Sequence, residues 1–170
     1  GGYHKAKRPI EDNELTHVGP GTPCGEYFRR FWIPVALASE LSDVPLRIRI
    51  LSEDLVVFRN KQGALGLLHL HCSHRNASLE FGVVEDQGLR CCYHGWLYDL
   101  KGKLVGAPYM KEAEGFDPAN CQLRPLQVAT WERWVFISFN PDAEPFDKFV
   151  EHFDREFGWL QMRDCRLGGR

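Results

Sequence analysis

Short runs of apolar residues, separated by turn residues, follow one another through the middle of the chain. In Leu46–Leu51 the polar Arg47 and Arg49 alternate with apolar residues, which is the pattern of a strand with one buried face. Similar runs predict strands at 55–58, 64–70, 90–93, 96–100, 103–105, 123–129 and 134–139. Many short strands with turns between them favour an all-β fold, an antiparallel β-sandwich or barrel.

The two ends of the chain show different patterns. Proline and glycine interrupt residues 1–22, which predicts a flexible N-terminal arm. Phe28, Phe31 and Trp32 then predict a short helical turn that packs inward and ends before Pro34.

Near the C-terminus, apolar residues recur at helical spacing and form one stripe: Phe146, Phe149, Val150, Phe153 and Phe157. This stripe predicts an amphipathic helix that covers the sheet, with docking of a following domain as the alternative. Residues 143–170 are expected to contain this helix and to lead to a catalytic domain outside this chain.

Composition narrows the classes of protein and of partner. The chain has 170 residues, 44% of them hydrophobic, and a formal net charge of −2, as expected for one globular domain. There is no basic excess to suggest nucleic acid, no apolar stretch of membrane-spanning length and no signal-peptide core, so we expect a cytoplasmic protein. Six cysteines in a chain of this size favour reduced thiols and a metal site over a disulfide scaffold.

The candidate chemistry lies in two short cysteine-histidine pairs. Cys72 is followed two residues later by His74, and Cys91 is followed three residues later by His94. One cysteine and one histidine from each of two loops is the ligand pattern of a Rieske-type [2Fe-2S] cluster, in which two thiolates hold one iron and two imidazoles hold the other. A zinc site is the chemical alternative, but common zinc motifs group cysteine with cysteine and histidine with histidine.

The second pair has an ambiguous register, because Cys92 also stands near His94. We assign Cys91 as the ligand and Cys92 as a neighbouring thiol without a coordinating role.

Around these pairs the chain resembles Rieske non-haem iron, aromatic-ring-hydroxylating oxygenases, and within them the oxygenase (alpha) subunits of the phthalate dioxygenase type. The resemblance extends over most of the chain and rests on these segments: Gly19–Pro23, Phe31–Val35, Glu53–Arg59, His74–Leu79 and Leu89–Asp99. It implies a Rieske domain at 23–142, an antiparallel β-sandwich with a small cluster-binding β subdomain at about 70–106.

The resemblance also implies an electron path. A reductase or ferredoxin would supply single electrons to the [2Fe-2S] cluster, and a mononuclear Fe(II) in the full-length protein would activate O2 to hydroxylate an organic, aromatic substrate. Members of this family hold that second iron with an Asp/Asn-x2-His-x4-His segment, which this chain does not contain. We therefore expect no catalytic residues in this chain, and a homotrimer for the full-length protein.

Neighbours of the ligands refine the expectation. Respiratory Rieske proteins carry a cysteine in each loop where this chain has Ala77 and Tyr93, and a serine where it has Trp96. Trp96 and Arg75 are predicted to shield the cluster or to line a docking face. A stand-alone Rieske ferredoxin, an electron carrier without an attached active site, is the alternative function.

Overall fold

The computed structural model describes residues 10–110 and 112–165. Three α-helices are present in these residues: α1 (Asn13–Thr16), α2 (Pro23–Phe28) and α3 (Phe146–Phe157). The strands are β1 (Ile33–Leu37), β2 (Leu46–Ile50), β3 (Glu53–Arg59), β4 (Leu65–His69), β5 (Val83–Val84), β6 (Gly88–Arg90), β7 (Leu97–Asp99), β8 (Leu104–Gly106), β9 (Gln127–Trp131) and β10 (Trp134–Ser138). Short 3-10 turns lie at Ala38–Glu40, Leu79–Phe81, Pro118–Cys121, Gly158–Leu160 and Met162–Asp164.

The described strands form three antiparallel sheets, with the orders β1-β10-β9, β2-β3-β4 and β5-β6-β7-β8. The predicted all-β fold is confirmed, with β2-β3-β4 as the central layer. Successive side chains of a strand point to opposite faces, so β3 contributes to two separate cores. One core contains Leu55, Val57, Leu67, Val135 and Ile137. The other contains Val56, Phe58, Leu68, Leu89, Trp96 and Tyr98.

Two strands of the structure, β1 and β5, were not predicted from the sequence. Strand β1 contains Pro34, which weakens any strand prediction, but β1 lies at a sheet edge and its register with β10 shifts between Pro34 and Ala36. Edges and bulges are the positions where a strand tolerates proline. Strand β5 is only two residues long and leaves no periodic signal.

The predicted strand at 90–93 was wrong beyond Arg90, where β6 ends. The backbone turns at this point, because the Cys91 N–H donates to the Trp96 carbonyl at 2.8 Å and closes a loop. The inward packing predicted for the N-terminal turn was partly wrong as well. Trp32 is buried, whereas Phe28, the last residue of α2, and Phe31, three residues after it, are exposed.

Helix α3 covers the sheet formed by β1, β10 and β9, as its apolar stripe predicts. Phe146 packs against Trp32 and Phe136, at 4.7 and 5.5 Å between ring centroids. Phe153 packs against Trp131 of β9 at 5.2 Å.

The domain boundaries at 22 and 143 stay predictions, and residues 1–9 of the arm lie outside the described residues.

A buried carboxylate joins distant parts of the fold. Glu53, at the start of β3, accepts hydrogen bonds from Arg29 and, at 2.9 Å, from Arg124, and it lies 3.4 Å from the His69 Nε2. Burial and the nearby Arg124 lower the pKa of His69, which favours its neutral form.

Among the described residues, no helix has the length and apolar character that a membrane span requires.

Candidate metal centre

The first loop, residues 72–77, is a closed turn between β4 and the 3-10 turn at Leu79. The Cys72 N–H donates to the Ala77 carbonyl and the Asn76 N–H donates to the Cys72 carbonyl, both at 2.9 Å. Asn76 has a φ of 56°, in the left-handed region that asparagine tolerates better than most residues. This turn presents Cys72, Ser73 and His74 at its start.

The second loop, residues 91–96, has the same backbone frame. The Cys91 N–H donates to the Trp96 carbonyl, and the Gly95 N–H donates to the Cys91 carbonyl at 3.1 Å. Gly95, with a φ of 73°, occupies the position that Asn76 has in the first loop. Cys91, and not Cys92, therefore has the position in the second loop that Cys72 has in the first.

The Arg90 side chain joins the second loop to Glu85. Its Nη1 donates to the Gly95 carbonyl at 2.7 Å, and its Nε and Nη2 donate to the two carboxylate oxygens of Glu85. The hydrogen bond from Arg90 keeps the pKa of Glu85 below its ordinary value. The loop therefore rests on a bidentate ion pair anchored at the β5–β6 hairpin.

The two loops bring the four candidate ligands together as two pairs. Cys72 and Cys91 are both buried, and burial raises the pKa of Cys72, with Cys91 beside it as a further cause. The rings of His74 and His94 lie 4.6 Å apart between centroids. The structure thus places a thiol pair inside the domain and an imidazole pair next to it, while Cys92 is exposed.

His74 carries an unsatisfied nitrogen at this site. Its Nδ1 is buried and has no hydrogen-bond partner in the described residues. Burial lowers the pKa of His74, and the nearby His94 lowers it further, which favours the neutral ring that a metal ligand requires. A buried, unpaired imidazole nitrogen beside a second imidazole fits a metal ligand.

Within residues 10–110 and 112–165, no three His, Cys, Asp or Glu side chains are grouped as ligands of one metal ion. A [2Fe-2S] cluster does not require such a group, because each iron takes two protein ligands and the sulfides supply the rest.

Trp96 packs against the histidine pair. Its indole is 3% exposed and stacks on the His74 imidazole, with 6° between the planes and 4.6 Å between centroids. Phe116 meets the indole edge-on at 5.7 Å. A side chain this buried can shield a metal centre but cannot form a docking face, whereas Arg75 is exposed and can.

Tyr98 is a site residue that the sequence analysis missed. Its ring is fully buried and its hydroxyl lies 3.2 Å from the Cys72 Sγ and 3.1 Å from the Ser73 N. Burial raises the pKa of Tyr98, which keeps the hydroxyl protonated as a donor. Alternation along the strand predicted at 96–100 places Tyr98 on the same face as Trp96, but this pattern does not indicate a partner for the tyrosine hydroxyl.

Comparison with known families decides between the possible metal centres. The Rieske [2Fe-2S] domain family matches residues 31–132, a segment that contains both loops. The chain belongs to this family. The resemblance seen in the sequence is confirmed, and the family is defined by a [2Fe-2S] cofactor.

Similar proteins are oxygenase components. The oxygenase subunit of a tert-butanol monooxygenase / tert-amyl alcohol desaturase from Aquincola tertiaricarbonis is 60% identical over 95 residues, 56% of this chain and 20% of that protein. The phthalate 4,5-dioxygenase oxygenase subunit of Pseudomonas putida is 44% identical over 100 residues, 57% of this chain and 23% of that protein. The crystal structure of dicamba monooxygenase bound to dicamba matches with a TM-score of 0.62 and 32% identity, covering 69% of this chain and 37% of that one. The chain thus spans less than half the length of these relatives.

Proposed function

We propose that this Rieske domain is the electron-transfer part of an oxygenase subunit, in which Cys72 and Cys91 hold one iron of a [2Fe-2S] cluster and His74 and His94 hold the other. When bound, such a cluster takes up and releases single electrons. The observation that carries the proposal is the pair of matching loops, which bury two thiols and place two imidazoles side by side.

The protein groups around the ligands would serve that cofactor in distinct ways. His74 would offer its buried Nδ1, while Trp96 fixes the plane of the His74 ring and excludes water from one side. Tyr98 offers an O–H donor to the Cys72 sulfur. Arg90 and Glu85 keep the second loop in its closed form.

The oxygenase context is proposed from the relatives. We infer that a reductase or ferredoxin supplies the electrons and that a mononuclear Fe(II) in the full-length protein uses them to activate O2 and hydroxylate an organic, aromatic substrate. A homotrimer and a cytoplasmic location complete the proposal. The sequenced reading frame after Arg170 tests this context, because it should encode Asp/Asn-x2-His-x4-His, and a stop codon without that segment would favour a ferredoxin.

Ligand replacement tests the assignment within this chain. Cys91→Ser should abolish incorporation of iron and acid-labile sulfide, because serine does not replace a thiolate. Cys92→Ser is the matched control, since Cys92 is exposed, and it should bind the cluster as the wild type does. The opposite pattern would refute the register derived from the two loops.

A further inference from the structure

Three polar groups of the first loop converge on the Tyr98 hydroxyl. They are the Cys72 Sγ at 3.2 Å, the Ser73 Oγ at 2.8 Å and the Ser73 N at 3.1 Å. The backbone N–H of Ser73 can only donate, so the Tyr98 oxygen accepts this bond. The single proton of Tyr98 is then left for the sulfur, the serine oxygen, or both.

The hydroxyl proton of Ser73 is already committed elsewhere. The Ser73 Oγ lies 2.7 Å from the backbone carbonyl oxygen of Cys121. A carbonyl only accepts, so a contact of this length requires the serine proton to lie between the two oxygens. Towards Tyr98, at 2.8 Å, the Ser73 oxygen can therefore act only as an acceptor.

The Cys121 carbonyl is held in place by its own segment. Cys121 ends the 3-10 turn at Pro118–Cys121, whose first turn is capped by the Asp117 side chain. Two residues later, the Leu123 N–H donates to the Gly102 carbonyl at 2.8 Å. The acceptor that takes the serine proton is thus a fixed backbone group and not the Cys121 thiol.

A cysteine that ligates iron is a thiolate and only accepts hydrogen bonds. With Cys72 in that state, the one proton of Tyr98 faces two acceptors, the Cys72 sulfur and the Ser73 oxygen. A hydrogen bond to the ligand sulfur stabilises the reduced cluster, which carries one more negative charge, and so raises its potential. A competing acceptor weakens this bond.

We propose that Ser73 is a positioning residue that draws the Tyr98 proton away from the Cys72 sulfur and thereby lowers the reduction potential of the bound cluster. The proposal rests on the proposed ligand role of Cys72. Among the described hydrogen bonds, the Ser73 hydroxyl bonds the Tyr98 hydroxyl and the Cys121 carbonyl, and not the side chain of a proposed iron ligand. Its effect on the potential would therefore pass through Tyr98.

The test is the midpoint potential of the cluster-loaded chain, measured by protein-film voltammetry. Ser73→Ala removes the competing acceptor and should shift the potential to a more positive value. Tyr98→Phe removes the donor and should shift it to a more negative value. The double variant should match Tyr98→Phe, because Ser73 acts through the tyrosine proton.

Two further variants control for structural damage. Ser73→Thr keeps a hydroxyl at an exposed position and should retain the wild-type potential. Cys121→Ala keeps the backbone carbonyl and should also leave the potential unchanged. If Ser73→Ala does not take up the cluster, Ser73→Gly supplies the second variant without a hydroxyl.

The proposal is overturned if removal of the hydroxyl leaves the potential unchanged or makes it more negative, or if the shift persists in the Tyr98→Phe background. Failure of the proposed function has a different signature. In that case the wild-type chain itself takes up no iron and acid-labile sulfide, or Cys72→Ser retains the cluster.

Discussion

Replacing Glu53 with glutamine should destabilise the domain far more than any surface charge change. The Glu53 side chain is 9% exposed and bonds Arg29, whose side chain is 10% exposed. Glutamine keeps the size of the side chain but removes its charge. The Arg29 guanidinium would then stay buried with a hydrogen bond to the Leu51 carbonyl at 2.8 Å and without its buried counter-charge. The remaining carboxylate beside it, that of the exposed Glu26, lies 3.7 Å from its Nε.

The magnitude follows from burial on both sides of the pair. Breaking a buried ion pair by neutralising one partner costs about 3–5 kcal/mol, because the other charge remains desolvated. The Arg124 side chain is 49% exposed, so its pair with Glu53 is screened by solvent and is worth about 0–1 kcal/mol. His69 adds little, because its lowered pKa favours the neutral ring.

Urea unfolding of the cluster-loaded protein, followed by tryptophan fluorescence, measures both effects. We expect Glu53→Gln to lower the free energy of unfolding by about 3–5 kcal/mol. Arg124→Gln, the matched control on the exposed side of the same carboxylate, should lower it by less than about 1 kcal/mol. A loss below about 1 kcal/mol for Glu53→Gln, or equal losses for the two variants, would show that Arg29 does not depend on Glu53 as its buried counter-charge.

Two other residues near the loops give further predictions. Trp96→Ala should lower the free energy of unfolding by about 3–5 kcal/mol and should speed the loss of cluster absorbance in the presence of a chelator. Trp96→Phe retains a ring against His74, so its losses of stability and of cluster absorbance should be much smaller. Equal chelation rates for the two variants would count against shielding by Trp96. Glu85→Gln should be less stable than wild type at neutral pH, and the difference should shrink as the pH falls from the ordinary value of 4.5 through the lowered pKa of Glu85. Urea titrations at several pH values measure this, and a constant difference would contradict the role of the Arg90 pair.

Local patterns in the sequence were enough to predict much of the fold. Alternation in Leu46–Ile50 gives a half-buried strand, and the phenylalanine stripe gives α3. Both depend only on the periodicity of neighbouring residues. Strand β1 was missed because its pairing with β10 depends on residues about a hundred positions away, and a proline obscures its local signal.

The candidate ligands could be proposed from spacing, because a Rieske-type cluster takes one cysteine and one histidine from each of two short loops. The surroundings of the ligands could not be identified in this way. Tyr98 reaches the Cys72 sulfur across 26 positions of the chain, and Arg124 reaches Glu53 across 71. Such contacts exist only once the sheets have packed, so the sequence offered no local signal for a hydrogen bond to the ligand sulfur.

The exposure of Phe28 and Phe31 has a similar origin. Apolar spacing predicts which residues share a face of a turn, but it does not predict whether another element covers that face. In the described residues, Tyr27 packs against both rings at 5.7 and 5.2 Å, and the group stays at the surface.

In the proposed function, the two loops bind a [2Fe-2S] cluster through two cysteines and two histidines. Pulsed EPR on the dithionite-reduced, cluster-loaded chain tests it most directly, together with iron and acid-labile sulfide analysis of the same sample. We expect about two irons and two sulfides per chain, with couplings from two histidine nitrogens. The irons, sulfides and couplings should all be lost in Cys91→Ser and retained in Cys92→Ser. A colourless zinc protein without sulfide, or a cluster without nitrogen couplings, would contradict it.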